Sequence, residues 1–388
     1  MIYADNAATT PVDPDVLSAM MPYFTQTYGN ASSTHAAGLA AAQAVMMSRA
    51  AVATTIGAKV NEIVFTSGAT EAINLAILGC AKEHVGSQRT GIVTVRSEHP
   101  AVRDAATQAE QLGCPVTWLD VDSEGRVLID QLEKAVNDST LLVSIMAVNN
   151  ETGVCQDLHA IAAVARNAGA MFMTDATQAW GKIPLHVDDI GIDFMAFSGH
   201  KLYGPKGIGA LFVRQRKERT CKVAPMQVGG GQEHGLRSGT LNVPGIVALA
   251  EAGTIAVRRM EEESQRIGLL RDTFESAMVS RLGVRVNGAG AKRSSTISNI
   301  TFGADVDIDM LLLAMPHVAV SKGSACSSTK PKPSPVLTAM GRTPDECARS
   351  LRVSFGRFST NDECSQLVDA FCEAHENARL GVTPAAHQ

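Results

Sequence analysis

Lys201 carries the most chemical information in this sequence. It sits in Ser198-Gly199-His200-Lys201-Leu202-Tyr203-Gly204-Pro205-Lys206-Gly207, directly after the apolar run 194–197. An arbitrary loop lysine is a solvated charge. A phosphate-binding loop of the usual glycine-rich kind is excluded, because Pro205 intervenes before Lys206 and no Ser or Thr follows. What remains is an amine flanked by hydroxyl, glycine and imidazole donors. Those are the surroundings of a Schiff-base lysine beside a phosphate group. Asp175-Ala176-Thr177-Gln178 ends a different apolar run. A buried Asp can hold a pyridine nitrogen protonated, and Gln178, one helical turn on, can hydrogen-bond a ring hydroxyl.

Three more segments put polar groups just past an apolar run: Thr66-Ser67-Gly68-Ala69-Thr70, Glu98-His99-Pro100 and Asn149-Asn150-Glu151-Thr152-Gly153. Taken singly, each has a plain structural reading. Thr-Ser-Gly caps helices, Asn-Asn makes turns, and a lone histidine is commonly a satisfied structural residue. Five polar strand ends on one sheet are different, because they can converge on one crevice.

The elements that would position them follow from periodicity. β-rich apolar runs at 63–65, 91–95, 141–145, 171–173, 194–197 and 209–213 alternate with helical stretches at 71–80, 101–112 and 158–168. Continuous apolar strands between helices predict an α/β fold, with a mostly parallel sheet covered on both faces. Ligands then bind beyond the carboxyl ends of the strands. Residues 243–282 read as one or two long helices. After them, strands at 296–302, 318–320 and 351–353 mix with helices at 308–314 and 362–378. The expected organisation is a large α/β domain over 13–255, and a smaller α+β domain made of 1–12 with 256–388.

Composition narrows the class. The chain has 388 residues, 45% hydrophobic and 19% charged, enough for two or three packing units without disulfide staples. No apolar run is expected to span a membrane, and the first residues lack the pattern of a secretory leader. With 34 basic and 39 acidic residues the net charge is −5, which leaves no footprint for direct nucleic-acid binding. The eight cysteines form no C-x-x-C pair, so no structural zinc or other resident metal is expected. Free thiols in a reducing, cytoplasmic compartment are the expectation.

Taken together, the motifs Tyr3-Ala4-Asp5-Asn6-Ala7-Ala8-Thr9-Thr10-Pro11, Gly29-Asn30, Phe65-Thr66-Ser67-Gly68-Ala69-Thr70-Glu71, Glu98-His99, Asn149-Asn150-Glu151-Thr152-Gly153, Asp175-Ala176-Thr177-Gln178, Ser198-Gly199-His200-Lys201, Arg237-Ser238-Gly239-Thr240, Gly323-Ser324-Ala325-Cys326 and Arg352-Val353-Ser354-Phe355 resemble those of the cysteine desulfurases. These are pyridoxal 5′-phosphate (PLP) enzymes of the aspartate-aminotransferase fold (fold type I, class V), and the likeness is to their nitrogen-fixation and iron–sulfur branch. The resemblance implies a seven-stranded-type large sheet. It implies that Lys201 carries PLP and later moves the Cα proton. Asp175 would pair with the pyridine nitrogen, and Gln178, with Asn150 nearby, would bond the ring hydroxyl. Ala69, Thr70, Ser198 and His200 would hold the phosphate. Thr240 would reach the phosphate of a neighbouring subunit, so a homodimer is implied. His99 would stack on the ring and handle the thiol proton of the substrate. Arg352 would clamp the carboxylate of L-cysteine, with Asn30 and Asn150 assisting.

Cys326 would be the nucleophile, taking sulfur as a persulfide and releasing alanine. It also offers a transient ligand to a nascent iron–sulfur cluster. Small residues flank it and Lys330-Pro331-Lys332-Pro333-Ser334-Pro335 follows, which excludes a helix interior or central strand. The expectation is a mobile loop over about 321–335. Close relatives commonly have Ser where Lys322 stands and an acidic residue near Lys330-Pro331-Lys332. A basic loop suits an acidic protein acceptor. Iron–sulfur assembly, tRNA thiolation and DNA phosphorothioation all stay open as destinations. The rival readings are a selenocysteine lyase or class-V aminotransferase, and a non-catalytic docking dimer.

Overall fold

The computed structural model describes residues 1–217, 219–322 and 333–378. Cys326 and the rest of 323–332, the bulk of the expected nucleophile loop, lie outside the described residues.

Seven strands make the large sheet: β1 (Ile63–Thr66), β2 (Gly91–Val95), β3 (Val116–Leu119), β4 (Thr140–Ser144), β5 (Met171–Asp175), β6 (Phe194–Ser198) and β7 (Gly209–Val213). Their spatial order is β1-β7-β6-β5-β4-β2-β3. Strand β7 is antiparallel to both its neighbours, and every other pair is parallel. The carboxyl ends of β1, β2, β4, β5 and β6 therefore share one edge. The fold is α/β with a mostly parallel central sheet, as the periodicity predicts.

Strands β1, β4, β6 and β7 are buried along their whole length, which is why they read as continuous apolar runs. Alternate side chains serve opposite cores. Ile63 and Phe65 face the layer that holds α1 (Ala36–Thr54), α4 (Leu158–Asn167) and the first half of α5 (Val243–Leu282). Val64 faces α2 (Ala69–Glu83) and α3 (Pro100–Gln111). The edge strand β3 is absent from the periodicity reading. It is only half-buried and Thr117 is exposed, so it carries no continuous apolar run.

Helix α5 is a single helix of 40 residues. Ile246, Leu249, Ala250 and Ala256 pack in the core of the large sheet. Ile267, Leu270, Phe274 and Met278 pack in a second core with Ile2, Ala4, Ile300, Leu351, Val353 and Phe371. Both sets repeat every three or four residues, as one helical face requires. Gly253 permits the contact with the fully buried Trp180; a Cβ there would lie 2.4 Å from the indole. Overpacking of that kind costs about 1–3 kcal/mol.

The second core lies under a small antiparallel sheet of β8 (Arg285–Val286), β9 (Ile297–Thr301), β10 (Ser321–Lys322) and β11 (Ser350–Ser354), in the order β10-β11-β9-β8. The strand expected at 318–320 is split. Val318–Ala319 pairs in parallel with Ile2–Tyr3, and the chain then crosses to join the small sheet as β10. The last helix, α6 (Asn361–Ala378), closes this core. Helix α1 is long and apolar enough to cross a bilayer by length and composition. Here it packs on α5, burying Ala41, Ala44, Val45 and Val52.

Candidate active site

The shared strand edge opens into a cleft of about 1630 Å³. Lys201 follows β6 on a short 3₁₀ turn, Gly199–Lys201, which aims its side chain across the sheet end. Its Nζ donates to the backbone oxygens of Ala7 (2.7 Å) and Ala8 (2.6 Å). Burial, with the Arg352 guanidinium nearby, lowers its pKa to about 8; Asp175 and Asp5 pull the other way. The desolvated amine therefore gives up its proton far more readily than an ordinary lysine, though most of it is still protonated near pH 7.

Asp175 ends β5 and is buried, and one carboxylate oxygen accepts from Thr177 N at 2.9 Å. Gln178 Nε2 donates to Ala7 O at 2.8 Å, and its Oε1 accepts from Lys182 Nζ at 2.9 Å. His99 caps α3, its Nδ1 accepting from Ala101 N at 3.1 Å. That bond puts the ring proton on Nε2. Burial lowers its pKa, against the pull of Asp175, so the imidazole is held neutral. His200 is pushed down to about 4 by burial and by Lys201 and Lys206, and its Nδ1 lies 3.2 Å from Thr9 Oγ1. Ala69 and Thr70 form the first turn of α2, beside Ser198, where unpaired backbone N–H groups face the cleft.

The Asn149-Asn150 pair divides its work. Asn149 builds the turn: Oδ1 accepts from Glu151 N and Thr152 N, and Nδ2 donates to Ser97 O. Asn150 lines the cleft, and its buried Oδ1 has no partner among the described residues. From the small sheet, Arg352 on β11 donates to Asn150 O (2.9 Å) and to Asp5 Oδ1 (2.8 Å). Two of its five N–H donors are so engaged; Nε is buried and has no partner among the described residues.

The structure therefore brings Lys201, Asp175, Gln178, His99, Asn150, Ala69, Thr70, Ser198, His200 and Arg352 to one cleft. Asn30 and Thr240 do not line it, and both are exposed. Cys326 lies outside the described residues. Six groups in or beside the cleft escaped the reading of the sequence. Asp5 and the Ala7 and Ala8 carbonyls come from the N-terminal segment, whose motif is visible but whose partners are not. Lys182 sits behind Gln178. Glu98 is fully buried, accepts from Met146 N at 2.6 Å, and leaves Oε2 without a partner among the described residues; burial raises its pKa. Glu151 is raised to about 7 by burial, and its Oε2 accepts from Ser334 Oγ at 2.5 Å. Position beside His99 or Asn150 was the available signal for the two glutamates.

Known proteins resemble this chain over nearly its whole length. Residues 2–367 match the model of the family described as aminotransferase class-V. The chain is 45% identical over 380 residues to a protein named cysteine desulfurase IscS from Rickettsia akari (strain Hartford), covering 97% of this chain and 92% of the relative. A solved structure titled NifS-like protein superposes with a TM-score of 0.89 at 33% identity, covering 96% of this chain and 98% of that one. Another, titled SspA in complex with cysteine, gives 0.82 at 36% identity over 93% of this chain and 100% of that one. The chain belongs to the class-V aminotransferase family, among its IscS- and NifS-like members.

Proposed function

We propose that this chain is an L-cysteine desulfurase that removes sulfur from L-cysteine, giving L-alanine and a Cys326 persulfide. The observation that carries the reading is that an amine of lowered pKa (Lys201), a buried carboxylate (Asp175), a neutral imidazole (His99) and a partly free guanidinium (Arg352) open onto one cleft. The IscS relative and the neighbour with cysteine bound support the same substrate.

Its cofactor is PLP, the cofactor of these desulfurases. The residues present suit it. Asn150 Oδ1 and Thr177 Oγ1 are buried along the cleft without partners among the described residues, and the first turn of α2 offers backbone donors to an anion. Lys201 would hold the group covalently, Asp175 would face its ring nitrogen, and Gln178 and Asn150 its hydroxyl. Ala69, Thr70, Ser198 and His200 would cradle the phosphate. Bound there, the cofactor supplies an electron sink conjugated to the substrate Cα. Lys201 Nζ moves the Cα proton. His99 presents Nε2–H to the thiol side of the substrate. Arg352 binds the substrate carboxylate with the donors left by Asp5 and Asn150. Cys326 takes the substrate sulfur: the Cβ–S bond breaks, an S–S bond forms, and the carbon leaves protonated as alanine.

We also read the chain as a large domain (13–255) and a small one (1–12 with 256–388), the latter carrying the Cys326 loop. The exposed Leu39, Met46 and Met47 on α1, with Phe24 and Tyr28 nearby in sequence, support a homodimer that places Thr240 at the partner's site. The enzyme would be cytoplasmic and pass its sulfur to a protein acceptor. The test is alanine release from L-cysteine in the presence of a thiol. Wild-type protein should release alanine, and Cys326→Ala should keep the coloured cofactor but form no persulfide. Wild-type protein that releases no alanine overturns the reading.

A further inference from the structure

On the far side of Gln178 from the cleft lies a lysine with no role in the account above. Lys182 is partly buried and lines a small cavity of about 20 Å³ with Tyr203, Glu263 and Arg357. Among the described residues it forms no ion pair. Its Nζ donates to Gln178 Oε1 at 2.9 Å, while Gln178 Nε2 donates to Ala7 O at 2.8 Å.

A carboxamide is nearly the same shape when turned over, so only its neighbours decide which end is oxygen. Turning Gln178 over would set its NH₂ against the Lys182 amine and its oxygen against Ala7 O. Both contacts would then be lost. We propose that Lys182 is a positioning residue, which holds the Gln178 amide with its N–H edge toward Ala7 O and the ring hydroxyl of the cofactor. The surroundings fit this role. Burial, with Lys201 and Arg352 adding to it, lowers the Lys182 pKa to about 7; in its ammonium form the group has donors only, so the oxygen end of the amide must face it. The inference rests on the reading that Gln178 faces the PLP ring.

The experiment takes purified full-length protein, titrates it with PLP, and reads the absorption spectrum and dissociation constant of the bound cofactor. Wild type, Lys182→Met, Gln178→Ala and the double variant form a cycle. Lys182→Met should change the spectrum and weaken PLP binding roughly tenfold, the scale of one buried charge-assisted hydrogen bond. In the Gln178→Ala background the same change should add nothing. Lys182→Arg, which keeps a donor, should restore much of the wild-type spectrum. Gln178→Glu leaves Lys182 in place but removes the amide donor, and should reproduce the spectral change. It carries the test with Lys182→Arg if Lys182→Met does not fold. A wild-type spectrum and affinity in Lys182→Met, or in Gln178→Glu where that variant carries the test, overturns the inference, as does an undiminished effect of Lys182→Met in the Gln178→Ala background. Wild-type protein that takes up no PLP overturns the cofactor reading itself, and the inference falls with it.

Discussion

The floor and the wall of the cleft are built by different means. The floor consists of groups within a few residues of a strand end: Asp175 closes β5, Lys201 follows β6 by three residues, and His99 opens α3 just past β2. Buried strands hold those positions. The wall consists of Asp5, Ala7, Ala8 and Arg352, and it is joined by polar contacts across great sequence distances. Lys201 meets the Ala7 carbonyl across 194 residues, and Arg352 meets Asp5 across 347. The floor is thus a property of one sheet, whereas the wall depends on the two ends of the chain finding each other. Chemistry is assigned to the floor and substrate recognition to the wall.

That division can be broken experimentally. The largest effect belongs to the floor. Lys201→Ala should lower alanine release by at least ~10³-fold with the fold intact by circular dichroism, since it removes the proton-transfer group. Next comes Arg352→Gln, which should cut kcat/KM for cysteine by about 100-fold, mainly through KM, because the guanidinium donors go to the substrate carboxylate. An unchanged KM would move the carboxylate away from the wall.

Asp5→Asn should do less. Arg352 keeps its bond to Asn150 O, so KM should rise only severalfold, with a melting temperature about 2–4 °C lower from loss of the ion pair. A fall in kcat as large as that of Lys201→Ala would erase the distinction between floor and wall.

The smallest effect concerns pH. Burial holds the Glu151 carboxyl up at about 7, with Ser334 and Arg352 opposing it. The folded state therefore favours the protonated acid. The stability this brings is complete below the unfolded pKa near 4.5 and is lost as pH rises through 7. Glu151→Gln stays neutral throughout. Its stability relative to wild type in urea should improve by about 1.4 kcal/mol between pH 6 and 8.5. A gap that does not change with pH would mean that Glu151 is already ionised in the fold.

Much of the floor was legible because a parallel sheet writes itself into the sequence twice. Its strands are continuous apolar runs, and its active edge is the polar residue that follows each one. The edge strand β3 was not legible, since a half-buried strand carries no such run. Nor was the split of 318–320, where Val318–Ala319 and β10 join different sheets with hardly a break in the apolar pattern.

The sequence by itself determined the α/β class, the polar strand ends and the family motifs, because periodicity and local chemistry are short-range properties of the chain. Only the tertiary structure decided that Asp5 pairs with Arg352, that Lys201 points at the Ala7 and Ala8 carbonyls, and that Lys182 stands behind Gln178. Those contacts depend on how strands and chain ends meet in space, and on which charges burial leaves next to one another. Neither is encoded in the spacing of residues along the chain.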